Sequence, residues 1–199
     1  MGTAFLFDLD GTVSQCELLP IIAKSIGLER EFATLTALTI DGTIPFEDSF
    51  RLRFAMLRNI AVDQVRRAIG GVELDVDILD FIAANRGRCH IVTGNLRAWI
   101  ADLAARIGCE VYANDAEMRD GSLVKLKPLM RKSEPVFELK KRYGRIVAIG
   151  DGANDVPMFE AADISIAYGG VHSPYKGLLD IADYAVFDSR ALCRLLNTL

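Results

Sequence analysis

An α/β fold, a parallel sheet with helices on both faces, follows from three observations. From residue 77 onward, short apolar runs alternate with stretches whose apolar residues recur at helical spacing. Two of the apolar runs, Ala4-Phe5-Leu6-Phe7 and Ile146-Val147-Ala148-Ile149, lead directly into Asp and Gly, the kind of strand end where such sheets keep their ligands. Between the first strand and the alternating region, Glu17 to Gly70 holds no convincing strand, so an inserted helical block interrupts the sheet.

Taken in order, the first strand ends in Asp8-Leu9-Asp10-Gly11-Thr12. Successive strand side chains alternate between faces, which puts Asp8 and Asp10 on one side before Gly11 bends the chain. Apolar residues at helical spacing through Leu18–Ile26, Phe32–Ile40, Phe46–Leu57 and Val62–Ile69 predict three or four helices. Then come a helix over Asp77–Asn85, a strand over Arg88–Val92, a helix over Leu96–Ile107 and a strand over Glu110–Ala113. Met118 to Lys127 reads as a short hairpin turning at Asp120-Gly121. A helix over Arg131–Arg142 leads to the Ile146–Ile149 strand, and Asn154–Ala161 is helical. Asp163–Ala167 and Tyr184–Val186 are strands, and Arg190–Leu196 closes the chain as a helix. The expected division is a catalytic core of residues 1–14 and 76–199 with a helical segment of residues 15–75 inserted above the carboxyl end of the sheet, placed to act as a lid.

Composition excludes several function classes. With 199 residues and 51% hydrophobic content, the chain can build one substantial core and a small accessory unit. Its 23 basic and 27 acidic residues give a formal net charge of -4 with no basic run to track a phosphate backbone, which disfavours nucleic acid as a partner. No apolar stretch approaches the roughly 20 residues that span a bilayer, and the N-terminus does not read as a signal peptide, so a soluble cytoplasmic protein with no membrane partner is expected. Cys16, Cys89, Cys109 and Cys193 lack metal-type or redox-type spacing and read as isolated reduced thiols. His90 and His172 are far apart and read as structural, and Trp99 reads as core.

Two like charges at one strand end need a cation or a shared proton. A second acidic cluster, Gly150-Asp151-Gly152-Ala153-Asn154-Asp155, follows the later strand, so Asp8, Asp10 and Asp151 make a hard-cation site suited to Mg²⁺. An Asp beside such an ion can attack a phosphoryl group whose charge the metal neutralises. Thr93 in Ile91-Val92-Thr93-Gly94-Asn95, between a strand and a helix N-terminus, can supply a hydroxyl and neighbouring amides to phosphate oxygens. Lys125, Lys127 and Lys132 are each placed to complete the charge balance, and composition does not choose among them.

These motifs, in this order over nearly the whole chain, resemble those of the haloacid dehalogenase-like superfamily phosphatases. The resemblance implies a Rossmann-like sheet of order 5-4-1-2-3. It implies Asp8 as nucleophile and Asp10 as the acid that protonates the leaving oxygen and then activates water. Thr93, Gly94, Asn154 and a lysine would bind phosphate. Asp8, the Asp10 carbonyl and Asp151 would hold Mg²⁺, with Asp155 supporting the metal site. The acid at position 10 separates the chain from true dehalogenases.

Within the superfamily the chain is most similar to the phosphoserine phosphatases, whose small helical cap follows the first motif. Glu17, nine residues after Asp8, matches that family's acid near the substrate amine, and Phe46 to Arg53 resembles its cap segment ending in a carboxylate-binding Arg. Lys132-Ser133-Glu134 resembles its Lys-x-Glu motif, which selects Lys132. Glu17, Phe46 and Arg53 are thus the implied substrate contacts; a Glu and an Arg facing one pocket suit a zwitterion. The implied substrate is a small phosphorylated metabolite, phosphoserine first, with a phosphosugar or an enol-phosphate as alternatives, or a phosphotransferase outcome from the same phospho-aspartate. The state could be monomer or homodimer. One departure stands out: the family commonly has Ser-Gly-Gly at the second motif where this chain has Thr93-Gly94-Asn95, so the close backbone approach of the third glycine is lost.

Overall fold

The structure is a computed structural model and describes residues 2–199; Met1, the first residue of the expected 1–14 segment, lies outside the described residues. Strand β1 (Thr3–Phe7) is followed by four helices, α1 (Leu18–Lys24), α2 (Glu29–Ile40), α3 (Phe46–Leu57) and α4 (Val62–Ile69). Next come α5 (Val76–Ala84), β2 (Cys89–Leu96), α6 (Arg97–Ile107) and β3 (Glu110–Asn114), then the hairpin β4 (Ala116–Arg119) and β5 (Ser122–Leu126). The remainder is α7 (Ser133–Leu139), β6 (Arg145–Gly150), a 3-10 turn (Ala153–Asp155), α8 (Val156–Ala161), β7 (Ile164–Tyr168), α9 (Lys176–Leu179), β8 (Tyr184–Val186) and α10 (Ser189–Leu196).

The main sheet is parallel throughout, in the order β3-β2-β1-β6-β7-β8. Numbered by sheet strands alone, this is the expected 5-4-1-2-3 with β8 added at one edge. Strand β1 lies at the centre because both of its faces are apolar. Phe5 and Phe7 enter one buried cluster with Trp99, Ile100, Phe50 and Ile69, whereas Ala4 and Leu6 enter a second with Val136, Ile146, Met158 and Phe159. The first cluster continues into α1–α4 through Leu18, Ile22, Phe32 and Leu57, so the helical segment shares its apolar core with one face of the sheet.

Local signals explain most boundaries. Asp75 caps α5 by accepting from the Ile78 N–H at 3.0 Å, and Asp188 caps α10 by accepting from Ala191 N–H at 2.8 Å. Gly108 ends α6 with φ 76°. Asp120 and Gly121, with φ 49° and 76°, make the positive-φ pair that a two-residue hairpin turn requires.

Three details differ from expectation. The β2 strand runs on to Leu96, past Thr93 and Gly94, with its register against β3 shifting between Val92 and Leu96. Residues 153–155 form a 3-10 turn, closed by Asp155 N–H on the Gly152 carbonyl, before α8 begins. The short helix α9 carries no periodic pattern long enough to read from sequence. No helix among the described residues is long and apolar enough to cross a membrane.

Candidate active site

The first acidic pair leaves the sheet at its carboxyl edge. Asp8 N–H still donates to the Ile149 carbonyl at 2.9 Å, as a ladder bond would, and the chain then turns at Gly11 with φ 69°. The amides of Val13 and Ser14 both return to the Leu9 carbonyl, closing a tight loop. Asp10 is gripped at both carboxylate oxygens: Oδ1 accepts from Leu18 N–H at 2.9 Å, where α1 begins, and Oδ2 accepts from Asn95 Nδ2. The inserted helices are therefore tethered to the acid at their entry point.

The second acidic loop is built around Asp155. Its Oδ2 accepts from the amides of Asp151 and Gly152 at 3.0 Å each, and a Cβ on Gly150 would lie 2.5 Å from its Cγ, so only glycine fits there. Lys132, at the start of α7, sets its Nζ 2.6 Å from Asp8 Oδ1 and 2.6 Å from Asp155 Oδ1. Thr12 donates its hydroxyl to Asp151 Oδ1 at 2.9 Å, joining the first motif to the last.

Electrostatically the site is short of positive charge. Asp8, Asp151 and Asp155 are all buried, and one carboxylate oxygen from each lies within 4.8 Å of the others. Burial alone would depress the Lys132 ammonium, but Asp155 and Asp8 outweigh it and hold the lysine charged. One ammonium cannot satisfy both carboxylates it touches, with Asp151 and Asp10 adding repulsion, so burial still pushes Asp8 well above the ordinary carboxylate range. Burial, reinforced by the charge of Glu17, pushes Asp10 up to about 7. An all-oxygen donor set with unbalanced negative charge fits a hard divalent cation such as Mg²⁺.

Glu17, Phe46, Arg53, Gly94, Asn154 and Asp151 line one cleft with Asp8 and Asp10. Arg53 is 3% exposed, and its partners are the Thr36 hydroxyl at 3.0 Å and the Ser49 carbonyl at 3.3 Å rather than a carboxylate. Burial lowers its pKa to about 10, with Asp10 and Glu17 opposing that shift. Phe46 stacks on Phe50 with ring centroids 5.3 Å apart and covers Gly94, where a Cβ would meet the Phe46 ring at 2.4 Å. Thr93 and Lys132 are buried behind this surface, and the Thr93 hydroxyl accepts from Asn95 N–H at 3.1 Å. Lys132 borders a neighbouring cleft with Gly94 and Asn154.

Two residues at the site escaped sequence reasoning. His172, read as structural, places Nε2 3.0 Å from Asp151 Oδ2 and 3.3 Å from Glu17 Oε1, and these bonds, Asp151 first, push its pKa up to about 10. Asn95, noted only as a departure, holds Asp10. The second had a signal, its place in the motif; the first had none, because it reaches the site only by long-range chain return.

A family model described as haloacid dehalogenase-like hydrolase matches residues 5–160, and a second of the same description matches residues 135–186. A phosphoserine phosphatase of Halobacterium salinarum is 31% identical, over 98% of this chain and 97% of its own length. A phosphoserine phosphatase of Methanocaldococcus jannaschii is 27% identical, over 82% of this chain and 83% of its own length. A solved structure described as a phospho-aspartyl intermediate analogue of phosphoserine phosphatase superposes with a TM-score of 0.84 at 27% identity, over 98% of each chain.

Proposed function

The chain belongs to the haloacid dehalogenase-like hydrolase family, and on that premise we propose that it is a phosphoric monoester hydrolase working through a phospho-Asp8 intermediate, with phosphoserine as substrate. The observation that carries the reading is one cleft lined by Asp8, Asp10, Glu17 and Arg53, with Lys132 on Asp8. Residues 15–75 act as the cap over a core of residues 1–14 and 76–199.

Asp8 attacks phosphorus while Asp10 gives its proton to the leaving serine oxygen, a transfer for which a pKa near neutrality is suited. Asp10 then takes a proton from water, which attacks phospho-Asp8, breaks the P–O bond to the carboxylate and releases inorganic phosphate. Lys132, Thr93, the Gly94 backbone and Asn154 hold the phosphoryl oxygens. Asp8, Asp151 and the Asp10 carbonyl would hold Mg²⁺, with Asp155 as support through its grip on Lys132 and the Asp151 amide. The bound ion supplies positive charge that offsets the phosphoryl oxygens and the Asp8 carboxylate. Arg53 pairs with the substrate carboxylate, Glu17 with its ammonium, and Phe46 covers the chain between them.

The test is phosphate release from a panel of phosphomonoesters with and without Mg²⁺. Phosphoserine should dominate in a Mg²⁺-dependent manner, and Asp8→Asn should lose turnover while keeping its circular dichroism spectrum. Substantial turnover by Asp8→Asn would overturn the covalent route, and preference for a phosphosugar or enol-phosphate would overturn the substrate.

A further inference from the structure

Asn95 is 4% exposed and lines the cleft with Asp8, Asp10, Glu17 and Arg53. Its Nδ2 donates to Asp10 Oδ2, with a longer contact to Thr93 Oγ1 at 3.4 Å. Its own N–H donates to Thr93 Oγ1 at 3.1 Å, so the backbone beneath it is fixed by the second motif. Its Oδ1 is buried with no hydrogen-bond partner among the described residues. Buried polar atoms are rarely left unpaired, and such an exception at a cleft calls for a functional account.

The Asp10 carboxyl is the group this arrangement controls. A carboxyl that must pass a proton first to a leaving oxygen and later from water has to keep one orientation through both steps. Leu18 N–H holds Oδ1 from the helix side, and without Asn95 no hydrogen bond to Oδ2 remains among the described residues. We infer that Asn95 is a positioning residue for Asp10, locking its carboxyl from the sheet side, with its amide turned to Asp10 although that leaves Oδ1 unpaired. The inference rests on the Asp8 and Asp10 phosphatase reading above.

The test compares the wild type with Asn95→Gly, which restores the glycine commonly found in the resembling family, and Asn95→Leu, which keeps much of the shape but cannot donate. Both are assayed on phosphoserine and on an aryl phosphate whose leaving group needs no protonation, following release of the leaving group and of phosphate separately. Positioning of a general acid predicts a roughly 10- to 100-fold fall in the rate of leaving-group release from phosphoserine. The pre-steady-state burst of the aryl leaving group should stay near wild type, while phosphate release afterwards slows, because only the second step then needs Asp10. Asn95→Leu, folded by its melting curve, should show the same split. Equal losses in the aryl burst and the phosphoserine step would mean a merely structural role, and unchanged kinetics in both variants would also overturn the inference. A wild type with no phosphate release from any ester overturns the phosphatase reading itself, and Asn95 positioning with it.

Discussion

Arg53 has its charge almost wholly out of water with only a hydroxyl and a carbonyl against it, a costly arrangement unless a ligand anion completes it. Arg53→Ala should therefore lower kcat/KM for phosphoserine about 10- to 100-fold, the worth of charge-assisted hydrogen bonds, with little change for a phosphate ester that has no carboxylate. Equal losses on the two would remove Arg53 from recognition. His90 is a different kind of buried group. It is 1% exposed on β2, and burial lowers its pKa despite Glu110 Oε2 at 3.2 Å from Nδ1. A folded pKa below the unfolded value of about 6.5 means that the neutral ring favours folding. That contribution is complete above about pH 6.5 and is lost as pH falls toward the folded pKa, because the unfolded chain takes up the proton first. Denaturant titrations at descending pH should show wild-type stability falling more steeply than that of His90→Gln; parallel slopes would contradict the assignment.

Between elements, the contact that shapes the cleft is the start of α3 against the register shift in β2. Phe46 covers Gly94 so closely that a methyl there would overlap the ring. Gly94→Ala should thus displace the Phe46 ring and raise KM, at about 1–3 kcal/mol of overpacking. Phe46→Leu made together with it should recover part of the loss, which a double-mutant cycle on kcat/KM measures; strictly additive effects would place the two residues out of contact. Gly42, after α2, lies where a Cβ would meet Tyr175 at 3.2 Å and Ala153 at 3.3 Å. The helical segment thus meets the sheet's carboxyl edge at two places, over β2 through Phe46 and over the loop after β6 through Gly42.

At the scale of the molecule, the apolar cluster under the cleft passes without a break from α1–α4 into β1, α5 and α6. A core shared in this way predicts one cooperative unfolding transition. Trp99 is the single tryptophan and is buried in α6, whereas α1–α4 contribute much of the helical circular dichroism signal. Fluorescence and circular dichroism should therefore report the same urea midpoint. Separate midpoints would show that the helical segment unfolds on its own.

Sequence by itself determined the features that depend on neighbours along the chain. Alternating apolar runs specified the strands, helical spacing specified α2 to α4 within a residue or a turn, and Asp120-Gly121 specified its hairpin, because each is a local response of backbone and solvent. The strand-end acids Asp8, Asp10 and Asp151 were equally legible, since a carboxylate after an apolar strand has few structural reasons to be there. The Lys-x-Glu resemblance singled out Lys132, which does reach Asp8, but tertiary structure alone decided how deeply Arg53 is buried and that His172 and Asn95 meet the carboxylates. These contacts reach far along the chain: Lys132 to Asp155 spans 23 positions, and the decisive ones, Lys132 to Asp8 and His172 to Glu17, span 124 and 155. No local pattern encodes such pairs, because they exist only when the parallel sheet brings the carboxyl ends of β1, β2 and β6 to one edge.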